Sequence, residues 1–376
     1  MKLVCKVSNE WSLNLKDDEI NSQLCYDDSK SFTIRRYGCV IYVLCVGGIF
    51  MTWDEIEWSA LDGVQCGHAQ DEEAKTGVTA LVFPDGATAG VWITGGGPAS
   101  RETPVLSPTT AATPVHALVL GGGSAYGLAA SDGVMRTLEA EGIGYPTGFA
   151  LVPIVVQSDI YDLAYGSPFI RPDAAMGAEA TKAALAGTPF GEGNVGAGIG
   201  AAVGKGYGMA RAMKGGVGLY AVRLGELTMG AIVVLNAWGD IYDHETGQKI
   251  AGALDEDRKE FVDVREALYG LTKPHDLFDR TNTTIGAIIT NGDFTKSELT
   301  RLAAAATNGY GRSIKPVGTL ADGDTIYGVS AGKRVTADLN MACALSAEVM
   351  GTAIRRAVKA SAIPDEEFLR HVGTPM

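Results

Sequence analysis

Residues 279–294 read DRTNTTIGAIITNGDF. The run 285–290 is apolar and rich in β-branched side chains, as a buried strand is. Directly before it stand Asn282, Thr283 and Thr284, open to three readings: a polar lead-in, an N-glycosylation sequon, or a catalytic centre. A sequon matters only in a secreted chain. The apolar run 39–51 is too short to span a bilayer and too far from the amino terminus for a signal-peptide core. The sequon is therefore expected to be unused, which leaves lead-in against catalysis.

A threonine hydroxyl is a weak nucleophile without a base beside it. One solution makes the threonine the first residue of a chain, so that its own α-amine is the base. An α-amine titrates at roughly 7.7–8.0, well placed for proton transfer near neutrality. This suits a sequence with five histidines and none paired at ligand spacing. It requires the Asn282–Thr283 bond to be cut. The Thr283 hydroxyl can do so by attacking the Asn282 carbonyl, forming an ester that water hydrolyses.

Three other stretches offer partners, each with a plainer reading beside it. LADGDTIYGV (320–329) sets Asp322 and Asp324 two apart before an apolar strand, so both carboxylates can share a face. The plain reading is an Asp-Gly turn. Asn236 interrupts AIVVLNAWGD (231–240), where a buried amide needs partners and can donate to an oxyanion. Lys205 lies in a glycine-rich loop, where backbone can approach a ligand closely.

Glycine is abundant, 49 of 376 residues, and clustered at 121–123, 196–200, 204–208 and 215–218. The clusters do not make a nucleotide site. GIGAAVGKG (198–206) lacks the first glycine of a phosphate loop, and Gly206 replaces the hydroxyl residue needed after Lys205. In GGGSAYG (121–127), Tyr126 stands where a nucleophile elbow and a dinucleotide fingerprint both need glycine. A net charge of −13 argues against nucleic acid and anionic membrane as partners. No metal or organic cofactor is expected. Four of six cysteines fall in the first 50 residues, so the body reads as a cytoplasmic, reducing-compartment protein. Residues 1–55 differ in composition and are expected to be an appended extension, or a mis-called start with Met51 the true one. Residues 56–376 are expected to form a single catalytic domain.

Along that domain, GVTALVFP and AGVWITGG are expected as two strands around a turn at 85–87. A buried strand at 115–123 leads into a helix ending at Gly142, and a second amphipathic helix covers 171–187. A long strand spans 229–243, and an exposed connection 255–266. Thr295 and Glu298 form a capping box for a helix to about Ala306, and a last helix covers 337–361. The mixture indicates layered α+β rather than a doubly wound sheet.

Taken together, the sequence resembles the family of L-aminopeptidase/D-esterases, β-peptidyl aminopeptidases and nylon-oligomer (6-aminohexanoate-oligomer) hydrolases. The segments TGVTALVFPDGATAGVWITGGGPASRET (76–103), HALVLGGGSAYGLAASDGV (116–134), VPIVVQSDIYDL (152–163) and GNVGAGIGAAVGKG (193–206) carry the resemblance. It continues through AMKGGVG (212–218), VVLNAWGDI (233–241), NTTIGAIITN (282–291), TKSELTRLA (295–303) and DGDTIYGVS (322–330), in family order. It implies a four-layer αββα sandwich of the N-terminal-nucleophile hydrolase type, self-cleaved into an α chain ending at Asn282 and a β chain of 283–376. It implies further that Thr283 is nucleophile and base, that Asp322 and Asp324 position and tune it, and that Lys205 and Tyr161 line the centre. Asn236 would stabilise the oxyanion, helped by backbone N–H groups around Gly123, Ser124 and Leu128. Thr after Asn resembles the nylon-oligomer branch. Substrates would be small peptides or amino-acid-derived amides, and the processed protomers would form a homo-oligomer, a tetramer. Two rivals stand beside this: an acyltransferase of the related glutamate N-acetyltransferase architecture, and an uncleaved binding module.

Overall fold

The computed structural model describes residues 53–111, 114–270 and 282–373, with the backbone of 25–26, 31–36 and 39–44. The rest of the expected amino-terminal extension, residues 271–280 beyond the acidic connection, and Thr281 of the opening stretch lie outside the described residues. The chain divides into two compact units, 1–52 and 53–376. In the first, Ser31–Arg36 pairs antiparallel with Cys25–Tyr26 on one side and Cys39–Leu44 on the other.

The second unit is built on a strand that belongs to two sheets. Strand β2 (Thr76–Ile93) pairs through its first half with β1 (Gln65–Asp71) and β3 (Val115–Gly121). Its second half pairs antiparallel with another strand, β8 (Thr325–Val335). The expected turn at 85–87 is therefore a bend within one strand, not a hairpin. Its two halves have different partners, the register shifts between Val82 and Ala87, and Gly86 takes φ +77° at the corner. Beyond β3, the parallel β4 (Val155–Asp159) extends the first sheet. The second sheet runs from β5 (Gly216–Leu224) through β6 (Leu227–Leu235) and β7 (Ile285–Gly292) to β8 and β2. Only the β7–β8 pairing in it is parallel.

Alternation along the strands produces the layers. On β6, Ile232 and Val234 face one core, while Ala231, Val233 and Leu235 face another. On β7, Ile285, Ala287 and Ile289 join the first of these and Ile288 the second. Leu81, Leu118 and Leu120 meet Ile232 and Val234 from the other sheet, whereas Val78, Ala80, Ala117 and Val119 turn away to a third core. Helices α1 (Ala130–Ala140) and α2 (Ala174–Leu185) close that third core with Ala130, Val134, Leu138, Ala180 and Ala184. Helices α3 (Lys296–Ser313) and α4 (Leu339–Ser361) close the opposite side, with Leu299, Leu302, Leu345 and Val349 buried. The result is an αββα sandwich. The helix expected to end near Ala306 runs on to Ser313, because Ala306 and Tyr310 continue its buried stripe. Residues 124–129 form a 3-10 turn rather than the start of α1. Among the described residues, no helix is long and apolar enough to cross a membrane.

The capping box is present: Thr295 Oγ1 accepts from Glu298 N, and Glu298 Oε2 accepts from Thr295 N at 2.8 Å. Thr295→Ala is expected to cost about 1 kcal/mol, and Ile232→Ala, emptying a fully buried site between the sheets, about 2–5 kcal/mol. Urea titrations of the two variants against the parent check the difference.

Candidate active site

Strand register determines where the opening residues sit. The antiparallel pairing of β6 with β7 places Val234 opposite Ile285. Continued two residues, it brings Asn236 opposite Thr283, and Thr283 N donates to Asn236 O at 3.0 Å. The parallel pairing of β7 with β8 sets Ile285 beside Thr325 and continues back to a bridge between Asn282 and Asp322. Gly323 N donates to Asn282 O at 3.0 Å, and Thr325 N to Thr284 O at 3.2 Å. The Asn282–Thr283 peptide is thus held from both sides. Asn236, which the sequence placed inside a strand, lies one residue past the end of β6, because the strand stops at Leu235.

The end of β2 closes in from the third side. Gly97 N donates to Asp322 O at 2.9 Å, and Gly95 N to Asp324 O at 3.2 Å. A Cβ on Gly95 would lie 2.3 Å from Asp322 O and 2.4 Å from Asp324 N, so no larger residue allows this approach. At Gly323 a Cβ would fall 2.7 Å from Thr283 Oγ1, which ties this glycine to the threonine beside it.

Thr283, Asn282, Asn236, Asp322, Asp324 and Lys205 are all buried. Thr283 Oγ1 donates a hydrogen bond to the carbonyl of Asn282. Lys205 is brought in by backbone: Gly204 N and Lys205 N donate to Gly239 O and Trp238 O, both at 3.0 Å. From there Lys205 Nζ donates to Asn236 O at 3.1 Å and to Asn236 Oδ1 at 3.0 Å. Lysine and Thr283 N–H therefore meet at one carbonyl oxygen. The Asn236 carboxamide is engaged at both ends, with Nδ2 donating to Tyr161 O (3.0 Å) and Oδ1 also accepting from Ala202 N (3.0 Å). Asp324 accepts from Thr284 N at 2.7 Å and Gly318 N at 2.9 Å. Asp322 Oδ2 accepts from Thr319 N at 2.8 Å and Thr319 Oγ1 at 2.7 Å.

Burial shapes the charges. It pulls the Lys205 ammonium down to about 7, against the opposing pull of Asp322, Asp324 and Asp162. Burial likewise raises the Asp324 carboxyl, reinforced by the negative charge of Asp322, with the two backbone N–H donors working the other way. Asp322 is raised by burial as well, opposed by its Thr319 bonds and by Lys205. Burial thus lowers the lysine and raises the acids of one cluster, in which no histidine takes part.

Of the residues singled out in the sequence, Thr283, Asn282, Asn236, Lys205, Asp322 and Asp324 come together. Tyr161 is joined through its backbone carbonyl. Gly123, Ser124 and Leu128 belong to a neighbouring turn, where Gly123 N donates to Asp162 Oδ1 (2.7 Å), Ser124 N to Ile160 O (2.9 Å), and Leu128 O accepts from Arg101 (3.2 Å). The N–H groups of Gly123 and Ser124 are engaged there. The backbone N–H that donates to the Asn282 carbonyl is that of Gly323. Sequence reading also missed Asp162, which accepts from Thr76 Oγ1 at 2.7 Å and is raised to about 6 by burial. Its only sequence signal is its place beside Tyr161.

Two sheets packed face to face between helix pairs give the layered arrangement of the N-terminal-nucleophile hydrolase fold. The L-aminopeptidase D-Ala-esterase/amidase of Ochrobactrum anthropi, described as a variant of that fold, superposes with a TM-score of 0.58 at 19% identity, covering 82% of this chain and 92% of its own. A Burkholderia β-aminopeptidase gives 0.56 at 20% identity, over 84% and 94%. The chain belongs to peptidase family S58, matched over residues 59–365. It is 36% identical over 304 residues to an uncharacterized aminopeptidase of Mycobacterium leprae, covering 77% of this chain and 82% of that protein. A 6-aminohexanoate-oligomer endohydrolase of Agromyces sp. is 33% identical over 313 residues, 79% and 84% of the two chains. The protein is a hydrolase of peptide or amide bonds.

Because Lys205 titrates lower in the fold than its ordinary 10.5, the unfolded chain binds the extra proton between about pH 7 and 10.5, and stability rises with pH across that window. Lys205→Met is expected to flatten the rise, leaving what Lys214, also pulled down to about 7, contributes. Denaturant midpoints at stepped pH measure the two slopes.

Proposed function

We propose that the protein is an autoprocessing amide hydrolase whose nucleophile is Thr283. The observation that carries this reading is the contact of Thr283 Oγ1 with the Asn282 carbonyl, whose oxygen also accepts from Gly323 N. A hydroxyl rests on the group it would attack, and an N–H donor waits where negative charge would develop. In the uncut chain the Thr283 nitrogen is an amide and cannot serve as base. Lys205, near neutrality and against the same Asn236 carbonyl as the Thr283 N–H, is the group suited to accept the hydroxyl proton.

Attack of Oγ1 on the Asn282 carbonyl carbon breaks the C–N bond, which takes up a proton, and leaves an ester with a free Thr283 α-amine. Once the ester is released, that amine becomes the base for substrate turnover. Thr283 Oγ1 then adds to a substrate amide, the amine product leaves, and water cleaves the acyl-enzyme. Asp324 fixes the amine's surroundings through Thr284 N, and Asn236 fixes Lys205. Substrates on this reading are short amides: small peptides with a free amino terminus, or amino-acid-derived oligoamides and esters. Internal cleavage of oligoamides is a second reading, favoured by the likeness to the 6-aminohexanoate-oligomer endohydrolase and by the Asn-Thr junction. The proposal extends to a processed homo-oligomer in the cytoplasm, supported by the family resemblance.

Denaturing electrophoresis is expected to separate chains of residues 1–282 and 283–376, with Thr283 found by end sequencing of the smaller one. Thr283→Ala should stay in one piece and hydrolyse none of a panel of L-, D- and β-amino-acid amides and 6-aminohexanoate oligomers. Retained hydrolysis in that variant would refute the nucleophile.

Self-cleavage is expected to speed up through about pH 7, as Lys205 loses its proton, and to level off above it. Lys205→Arg, which keeps the charge but gives up no proton, should slow cleavage roughly 10²–10⁴-fold. Timed appearance of the small chain in cell-free synthesis at several pH values reads both effects.

A further inference from the structure

Asn282 is only 1% exposed, and among the described residues neither its Oδ1 nor its Nδ2 has a hydrogen-bond partner. A carboxamide buried in this way is costly and calls for a reason. Around it Asn236, Asp322 and Asp324 are hydrogen-bonded, and the buried Thr284 hydroxyl is the other side-chain group at the junction without a partner among the described residues. Of the two carboxamides at the junction, Asn236 is hydrogen-bonded at both ends, and the free one belongs to the residue whose own carbonyl would be attacked. Its Nδ2 is tethered two bonds beyond Cβ, a distance that allows closure of a five-membered ring onto that carbonyl carbon.

We infer that Asn282 resolves the self-cleavage ester itself, by cyclising to a carboxy-terminal succinimide. The inference rests on the Thr283 reading and extends it to the second step. After the shift to Oγ1, the Asn282 carbonyl is an ester, a better acceptor than an amide. Asn282 Nδ2 attacks its carbon, a C–N bond forms, and the C–Oγ1 bond breaks. The proton lost from Nδ2 passes to Thr283 Oγ1 through the newly freed α-amine. No water is consumed, which matters because Thr283 is only 5% exposed and Asn282 less so. An internal nucleophile in this setting acts at an effective concentration that bulk water cannot match, up to about 10⁵ M or more for well-oriented groups. Substrate acyl groups carry no such carboxamide, so turnover still depends on water reaching the site.

The α chain then ends first as an imide. Later hydrolysis opens the ring at either carbonyl, giving asparagine or isoasparagine. Full-length chains made by cell-free synthesis, acid-quenched as cleavage begins, would be analysed by intact mass. The fresh 1–282 chain is expected to be lighter by one water than the free acid, to form a hydroxamate with hydroxylamine, and on ageing to contain a fraction ending in isoasparagine. In Asn282→Ala, cleavage should slow roughly tenfold or more, and every product should carry the full acid mass. A wild-type α chain of full acid mass from the earliest times, with no isoasparagine, would overturn the cyclisation while leaving Thr283 as nucleophile. Absence of any cut at 282–283 would overturn both.

Discussion

The structure depends on how the Asn282–Thr283 peptide is clamped. Thr283 N–H is taken by the carbonyl of Asn236 just past β6, and the Asn282 carbonyl by the N–H of Gly323 ahead of β8. These two bonds extend the pairing of β7 beyond its first residue on both sides. One immobilises the nitrogen of that peptide and the other engages its carbonyl oxygen. A backbone that served only as strand lead-in would need the same bonds. What distinguishes this one is the threonine hydroxyl and buried lysine gathered at the same two carbonyls.

Burial is the second constraint. A lysine in water is fully charged at neutrality and a poor base. Enclosed among Asn236, Asp322 and Asp324, Lys205 is brought to about 7 by loss of hydration, while nearby carboxylates keep it from falling further. The acids shift upward for the same reason. The site's polar groups reach each other largely through backbone carbonyls and amides. The cost lies in assembly: these groups come from residues 205, 236, 283 and 322–324, and acquire their properties only when the sheets are closed.

Legibility in the sequence followed locality. The apolar run of β7, the capping box at Thr295 and the α4 stripe were readable because neighbouring residues determine them. The four layers were carried by the resemblance, since which face of β6 meets which sheet depends on partners far away in sequence. The corner of β2 reads as a turn between two strands for that reason: a Gly turn signal marks a turn and a bend alike, and only the pairing of each half separates them. Gly323 escaped notice because its contribution is a backbone N–H, which no side-chain pattern advertises. Asp162 escaped because its partners, Thr76 and Gly123, lie on strands or turns separated from it by the whole first sheet's connections.

The clamp also explains why a cut here need not loosen the fold. β7 begins two residues after the junction, and its ladder to β6 joins the two halves of the chain by hydrogen bonds that do not involve the peptide link. On one side of the sheet, α3 and α4, from beyond the junction, share a core with Ala231, Val233 and Leu235 of β6 from before it. On the other, Ile285, Ala287 and Ile289 interleave with Ile232 and Val234 and with Leu118 and Leu120 of the facing sheet. Both cores are thus built from both sides of Asn282–Thr283. The same β6–β7–β8 pairing aligns the bond, so a chain that has not closed its sheet has neither Asn236 nor Gly323 in place. On the proposed reading folding precedes reactivity, and the contacts that align the bond are those that would hold the two chains together after a cut.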